Sequence, residues 1–322
     1  LFAKEENQGH TLSATLPRTG TTKLSDFVQQ HAVDCNFSSS ESWIILSPLE
    51  QSIKRKIEAV GTPLKDWGLN IYRGVLTGCN EAFVITSAKR NEILSECKTE
   101  DERNRTAELI RPILRGRDIK RYGYYWADLW LINIHNGIKN KVARIQIDDF
   151  PALKAHLDKH KEQIVARADK GDTPYNLRNC AYMEDFSKPK IVWAELARTG
   201  NAFTIDVNHL MIGNTGYILT VENNELDTLF YLLAFLNSKY MLYSLNQIST
   251  RLDETGWRWL RQFVEILRVP KTTKERELIR LTKSMLKQRN ERIQEQINLL
   301  IYDIFGFSEK EREYIDAQLL RY

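Results

Sequence analysis

The run KIVWAE (Lys190–Glu195), followed by AFTI (Ala202–Ile205), GYILTV (Gly216–Val221) and LDTLFYLLAFLNSKYMLYSL (Leu226–Leu245), decides the fold class. Three short β-branched and aromatic runs, separated by polar, turn-forming residues, read as strands. The apolar stretch that follows is longer than a strand. Its core, Leu226–Leu236, is broken by Asn237, Ser238 and Lys239 and is too short to cross a bilayer, so it reads as a buried helix extending to about Leu245. Strands and helices in this order predict an α+β chain with a mixed sheet.

Upstream, Pro151 opens a predicted helix reaching about Ala168, and Leu129–Ile134 reads as a strand. A helical stretch begins at Ser87. Two β-like runs, Leu69–Leu76 and Ala82–Thr86, bracket Thr77-Gly78-Cys79-Asn80 and predict a hairpin or bulged loop. Gly74, Thr77, Gly78 and Asn80 are read as structural turn residues, because their spacing matches neither a dinucleotide fingerprint nor a Walker loop. Trp43–Leu46 reads as a strand. After it, Ser47, Pro48 and Glu50 supply an N-cap, a first-turn proline and a capping-box acid for a helix with Leu49, Ile53, Ile57 and Val60 along one face. Gly61 is expected to end that helix in the left-handed conformation.

Downstream, Phe263–Val269 is the last strand candidate. From Thr272 a heptad row begins, Ile279, Leu286, Ile293 and Leu300, with Ile297 and Ile304 in a companion row weakened by Lys283 and Asn290. Gly306 stops this helix, and Ser308 with Glu311 caps a short final one, predicting a C-terminal helical hairpin packed on the chain's own body. The expected organisation is a polar linker or edge segment over Leu1–Ser42, an α+β domain over Trp43–Pro270 and a helical tail over Lys271–Tyr322.

Composition narrows the class of function less than the pattern does. Forty-six basic against forty-two acidic residues leave a net charge of +4, too small to identify a polyanionic partner without knowing where the charges sit. Cys35, Cys79, Cys97 and Cys180 form no CxxC pair, so neither a zinc site nor a secreted disulfide framework is expected, and a reducing cytoplasm suits them. With no initiator Met before Leu1, the chain is expected to be part of a longer polypeptide. His156 and His160 have helical metal-pair spacing but lack a third ligand in the pattern, so a solvated helix face is expected there. No serine sits in a nucleophile elbow, and His135 and His209 have no recognisable catalytic partner.

The run GVLTGCNEAFVI (Gly74–Ile85) closely resembles the opening signature of the TaqI-like C-terminal specificity domain, found in type IIG restriction–modification enzymes and related adenine-specific DNA methyltransferases. Further blocks resemble the same family in order: ELIRPILRGRDIKRY (Glu108–Tyr122), KPKIV (Lys188–Val192), LLAFLNSK (Leu232–Lys239) and the tail Gln296–Ile315. The resemblance implies sequence-specific binding of duplex DNA, positioned by an upstream methyltransferase domain of the same polypeptide that uses S-adenosylmethionine. It implies a site-specific adenine methyltransferase as parent, with or without restriction activity that would need Mg²⁺. Neither the Pro-Pro-aromatic motif for the target adenine nor a glycine-rich cofactor loop occurs in this sequence, so catalytic residues, metal ligands and a cofactor site are expected elsewhere in the parent. A diverged Mg²⁺-dependent nuclease and a protein-docking module of a phage-defence complex are the rival readings.

In that light the cluster Arg115, Arg117, Lys120 and Arg121 is expected to contact phosphates. Base edges call for mixed donors and acceptors, and three polar stretches supply them. Arg198 and Asn201 lie in ELARTGN; Arg251, Asp253, Glu254 and Arg258 lie in NQISTRLDETGWR; Tyr175, Asn176, Arg178 and Asn179 precede the central strands.

Overall fold

A computed structural model describes residues 11–14, 23–35, 46–198, 200–253 and 256–319. The strand expected at Trp43–Leu46 falls almost wholly outside them, as do most of Leu1–Ser42 and Glu254.

Two four-stranded sheets form the body. In the first, Phe203–Asp206, Lys190–Ala194, Gly216–Val221 and Leu69–Arg73 lie side by side, all antiparallel, with Val192 opposite both Thr204 and Ile218 and with Ile218 opposite Tyr72. Both faces of this sheet are covered, which is why its strands read as continuous apolar runs. Ile191, Trp193, Tyr217 and Leu219 enter a core shared with the helices, whereas Val192 and Ile218, on the opposite face, pack against the second sheet. That sheet runs Met211–Ile212, Ile110–Leu114, Leu129–Ile132 and Val84–Thr86, with only the Met211–Ile113 pairing parallel.

The runs Leu69–Leu76 and Ala82–Thr86 therefore do not form a hairpin. Their strands belong to different sheets, and Asn80–Phe83 between them is a helical turn. Gly74 makes this crossing possible: a Cβ there would lie 2.1 Å from the Gly213 carbonyl oxygen. Gly78 adopts φ +69°, and the Thr77 hydroxyl donates to Asn80 Oδ1 at 2.7 Å.

Pro48–Val60 is the expected helix, with Ser47 and Glu50 forming the capping box, but Val60 is exposed and Gly61 is not left-handed. Gly61 has φ −86° and begins a strand paired with Arg268–Pro270, where a Cβ would come within 2.7 Å of Arg268 Cβ. The predicted strand over Phe263–Val269 is shorter, since Arg261–Val264 is a helical turn. The expected helix from Pro151 is two, Pro151–Asp158 and Lys161–Ala166. His156 is buried, its Nε2 bonded to the Ala82 carbonyl and its pKa lowered by burial, so this is no solvated face.

The apolar helix also divides, into Leu226–Leu236 and Lys239–Ile248, where the Ser238 hydroxyl caps the second by accepting from the Met241 N–H. The tail packs on both. Glu275–Lys287 lies along Leu226–Leu236, and Glu291–Phe305 and Glu309–Leu319 lie against Lys239–Ile248. The heptad helix breaks at Gln288–Asn290, and the Asn290 side chain caps the new helix instead of setting a coiled-coil register. Gly306 closes it at φ +65°. Among the described residues, no helix is long and apolar enough to cross a membrane.

Candidate nucleic-acid interface

Three strands lead into segments that line one cleft of about 1160 Å³. Leu69–Arg73 leads into residues 74–81, Ile110–Leu114 into 115–121, and Lys190–Ala194 into 195–202. The segment Gly213–Thr215 holds them together. Its Thr215 carbonyl accepts from the Glu195 N–H at 2.9 Å, and its hydroxyl accepts from the Gly116 N–H at 2.9 Å. The Gly213 N–H donates to the Leu114 carbonyl.

The cleft is basic. Among the described residues, Arg73, Arg115, Arg117, Lys120, Arg121, Arg198 and Arg289 line it against only Glu81 and Glu195 of the acids. A concave surface with one dominant sign focuses its field on the opposite charge. A net charge of +4 over the whole chain conceals this asymmetry.

The four residues expected at phosphates occupy different states. Arg117 and Lys120 are exposed, and the Lys120 ammonium donates to the Arg117 carbonyl. Arg115 grips Asp118 with Nε and Nη2 at 2.9 and 2.8 Å, while its backbone N–H donates to the same carboxylate. Burial opposes ionisation of Asp118, but these bonds outweigh it and hold its pKa below the usual range. Arg121 turns inward: its guanidinium bonds the Asn237 carbonyl, leans over Tyr122, and burial lowers its pKa.

The base-reading candidates also divide. Leu196–Ala197, Trp257–Arg258 and Thr250–Arg251 form one small three-stranded sheet, so two segments far apart in sequence become a single ribbon beside the cleft. Arg198 pairs with Asp253 at 2.9 Å across it, Arg251 lies over the Trp257 ring, and Arg258 bonds Glu195. Asn201 does not fit a base contact. It is buried, and its Nδ2 donates to the Leu236 and Ser238 carbonyls, clamping the break between two helices.

The segment from Tyr175 to Asn179 lines no part of this cleft. Buried Arg167 ties it to the body by bonding the Thr77, Pro174 and Asn176 carbonyls above the Phe83 ring. Asn176 is buried and donates to the His135 and Ile145 carbonyls, which also removes it as a base reader. Tyr175 donates to Asp158, Arg178 pairs with Asp169, and Asn179 accepts from Asn136. Two cleft residues gave no sequence signal: Arg73 is a single arginine at a strand end, and Arg289 sits in the tail's helix break. Among the described residues, no group of three His, Cys, Asp or Glu side chains is placed to hold a metal ion.

The fold and cleft define a two-sheet α+β module that presents an arginine-rich concave surface. Residues 111–268 match the model of the TaqI-like C-terminal specificity domain. The chain is similar to the type II methyltransferase M.BstVI of Geobacillus stearothermophilus, 23% identical over 296 residues that cover 88% of this chain and 47% of the relative. It is also similar to the type II methyltransferase M.BanIII of Aneurinibacillus aneurinilyticus, 24% identical over 244 residues, covering 72% and 41%. The chain thus spans less than half the length of these curated relatives. In fold it is similar to the type IIL restriction–modification enzyme MmeI, solved in complex with DNA, at a TM-score of 0.57 and 10% identity over 80% of this chain and 36% of the other.

Proposed function

We propose that this chain is the duplex-DNA recognition module of a restriction–modification enzyme or adenine-specific methyltransferase, and that the basic cleft is the face it turns to DNA. The observation that carries the reading is the convergence of seven basic side chains on one cleft within and around the matched specificity segment. Arg117 and Lys120 take phosphates, Arg115 offers the edge not bound to Asp118, and Arg121 supports the wall. The ribbon bearing Arg198, Arg251, Asp253 and Arg258 addresses base edges. Arg178, Tyr175 and Asn179 form a secondary surface. Methyl transfer from S-adenosylmethionine, and any Mg²⁺-dependent cleavage, belong to other parts of a cytoplasmic bacterial parent protein.

Equilibrium binding of the full chain to a short duplex over a range of salt concentrations tests this. Affinity falls steeply with salt, and Arg117→Ala with Lys120→Ala reduces the magnitude of the log–log slope by about 2, near 0.9 for each phosphate no longer neutralised. Absence of binding, or binding indifferent to salt, overturns it and favours a protein-docking module. Mg²⁺-dependent cleavage by this chain alone favours the nuclease.

A further inference from the structure

We infer that Arg73 is a base-reading arginine of this cleft and that buried Glu195 is the positioning residue that aims it at guanine; this rests on the DNA-binding reading above. Arg73 stands at the end of its strand with its side chain 52% exposed, whereas the Glu195 side chain is only 7% exposed. Its Nη2 donates to Glu195 Oε2 at 2.6 Å and its Nε donates to the Asn214 carbonyl at 2.8 Å. One edge of the guanidinium is therefore fixed by the protein. The other, Nη1 with the second hydrogen of Nη2, has no partner among the described residues. That edge offers two parallel donors, matching O6 and N7 of guanine in the major groove.

The support is rigid from both sides. The second oxygen of Glu195 accepts from Nε of Arg258 at 3.2 Å and also from its Nη2, so one buried carboxylate serves two arginines from segments 185 residues apart. The backbone at Arg73 is held as well. Tyr182, stacked flat on Tyr72 with ring centroids 4.1 Å apart, donates its hydroxyl to the Arg73 carbonyl, and the next residue is Gly74 at its close approach to Gly213. A guanidinium so anchored loses little further freedom on binding, which distinguishes a base reader from a mobile phosphate contact.

The test is selection from a randomised duplex pool by the full chain and by Arg73→Lys, Arg73→Gln and Glu195→Gln, with unfolding midpoints measured in parallel. Discrimination at one guanine is expected to fall roughly 5- to 150-fold in both Arg73 variants, the range set by one good bidentate pair, with other positions unchanged. Glu195→Gln should weaken preference at that same position. If Glu195→Gln fails to fold, the two Arg73 variants decide. An unchanged motif in them, or an equal loss of affinity for all sequences, overturns the inference while leaving DNA binding intact. A parent chain that binds no duplex removes both.

Discussion

Lys190 and Asp206 face each other across the first sheet, both fully buried, with the ammonium 2.6 Å from the carboxylate. Burial lowers the Lys190 pKa, and Asp206 opposes that effect. The lysine also donates to the Phe186 carbonyl, and the carboxylate accepts from the Asn208 and Leu210 N–H groups, so the pair fixes the turn leading to the parallel strand Met211–Ile212. Removing one partner strands a buried charge. Lys190→Met should lower unfolding free energy by about 3–5 kcal/mol in denaturant titrations, and a loss under about 1 kcal/mol would show that the pair is no anchor. Residue-level roles of this kind are hard to read from sequence. Asn176 and Asn201 have the composition of surface loops, yet their amides bond carbonyls 31 to 41 residues away. Amide identity shows only that partners are needed; the fold chooses between backbone and a base.

Elements are more legible where the signal is local. The capping box at Ser47 and Glu50, the strand Gly216–Val221 and the left-handed Gly306 each follow from neighbouring residues. Elements that depend on distant pairing escape such a reading, as when Leu69–Arg73 joins Gly216–Val221 in place of a hairpin partner. Breaks at Asn237–Ser238 and Gln288–Asn290 are visible as polar interruptions, but only tertiary packing makes them helix ends. Tail docking offers a pH test. Glu311, buried against the Pro48–Val60 helix, accepts from Lys56, Ser52 and the Ser308 N–H. Desolvation pushes its pKa up, yet these bonds prevail and bring it to about 2. A depressed carboxylate pKa stabilises the fold above the unfolded-state value, about 4.3, and loses that contribution as pH falls toward about 2. Glu311→Gln should therefore cost on the order of 3 kcal/mol at neutral pH, with the difference from the parent shrinking below about pH 4 in urea melts. A pH-independent difference would remove the ionised carboxylate from the docking.

At the scale of the whole molecule, a nearly balanced charge count hides a predominantly basic cleft. The cleft is legible only in part: the run from Arg115 to Arg121 announces a basic segment, whereas Arg73 and Arg289 join it through topology alone. Two of the three polar stretches singled out as base readers come together as one ribbon, which sequence spacing could not reveal. If the cleft is the DNA face, bound duplex should slow exchange where the chain lines it. Hydrogen–deuterium exchange of the full chain with and without a short duplex at low salt makes the decisive comparison. A DNA face at the cleft predicts added protection in peptides covering residues 115–121 and 195–202, which contribute to its lining, and in the 250–258 ribbon paired beside it, with little change around residues 90–98, which neither line the cleft nor pair with that ribbon. Protection confined to residues 90–98, or none with duplex at saturation, would contradict it.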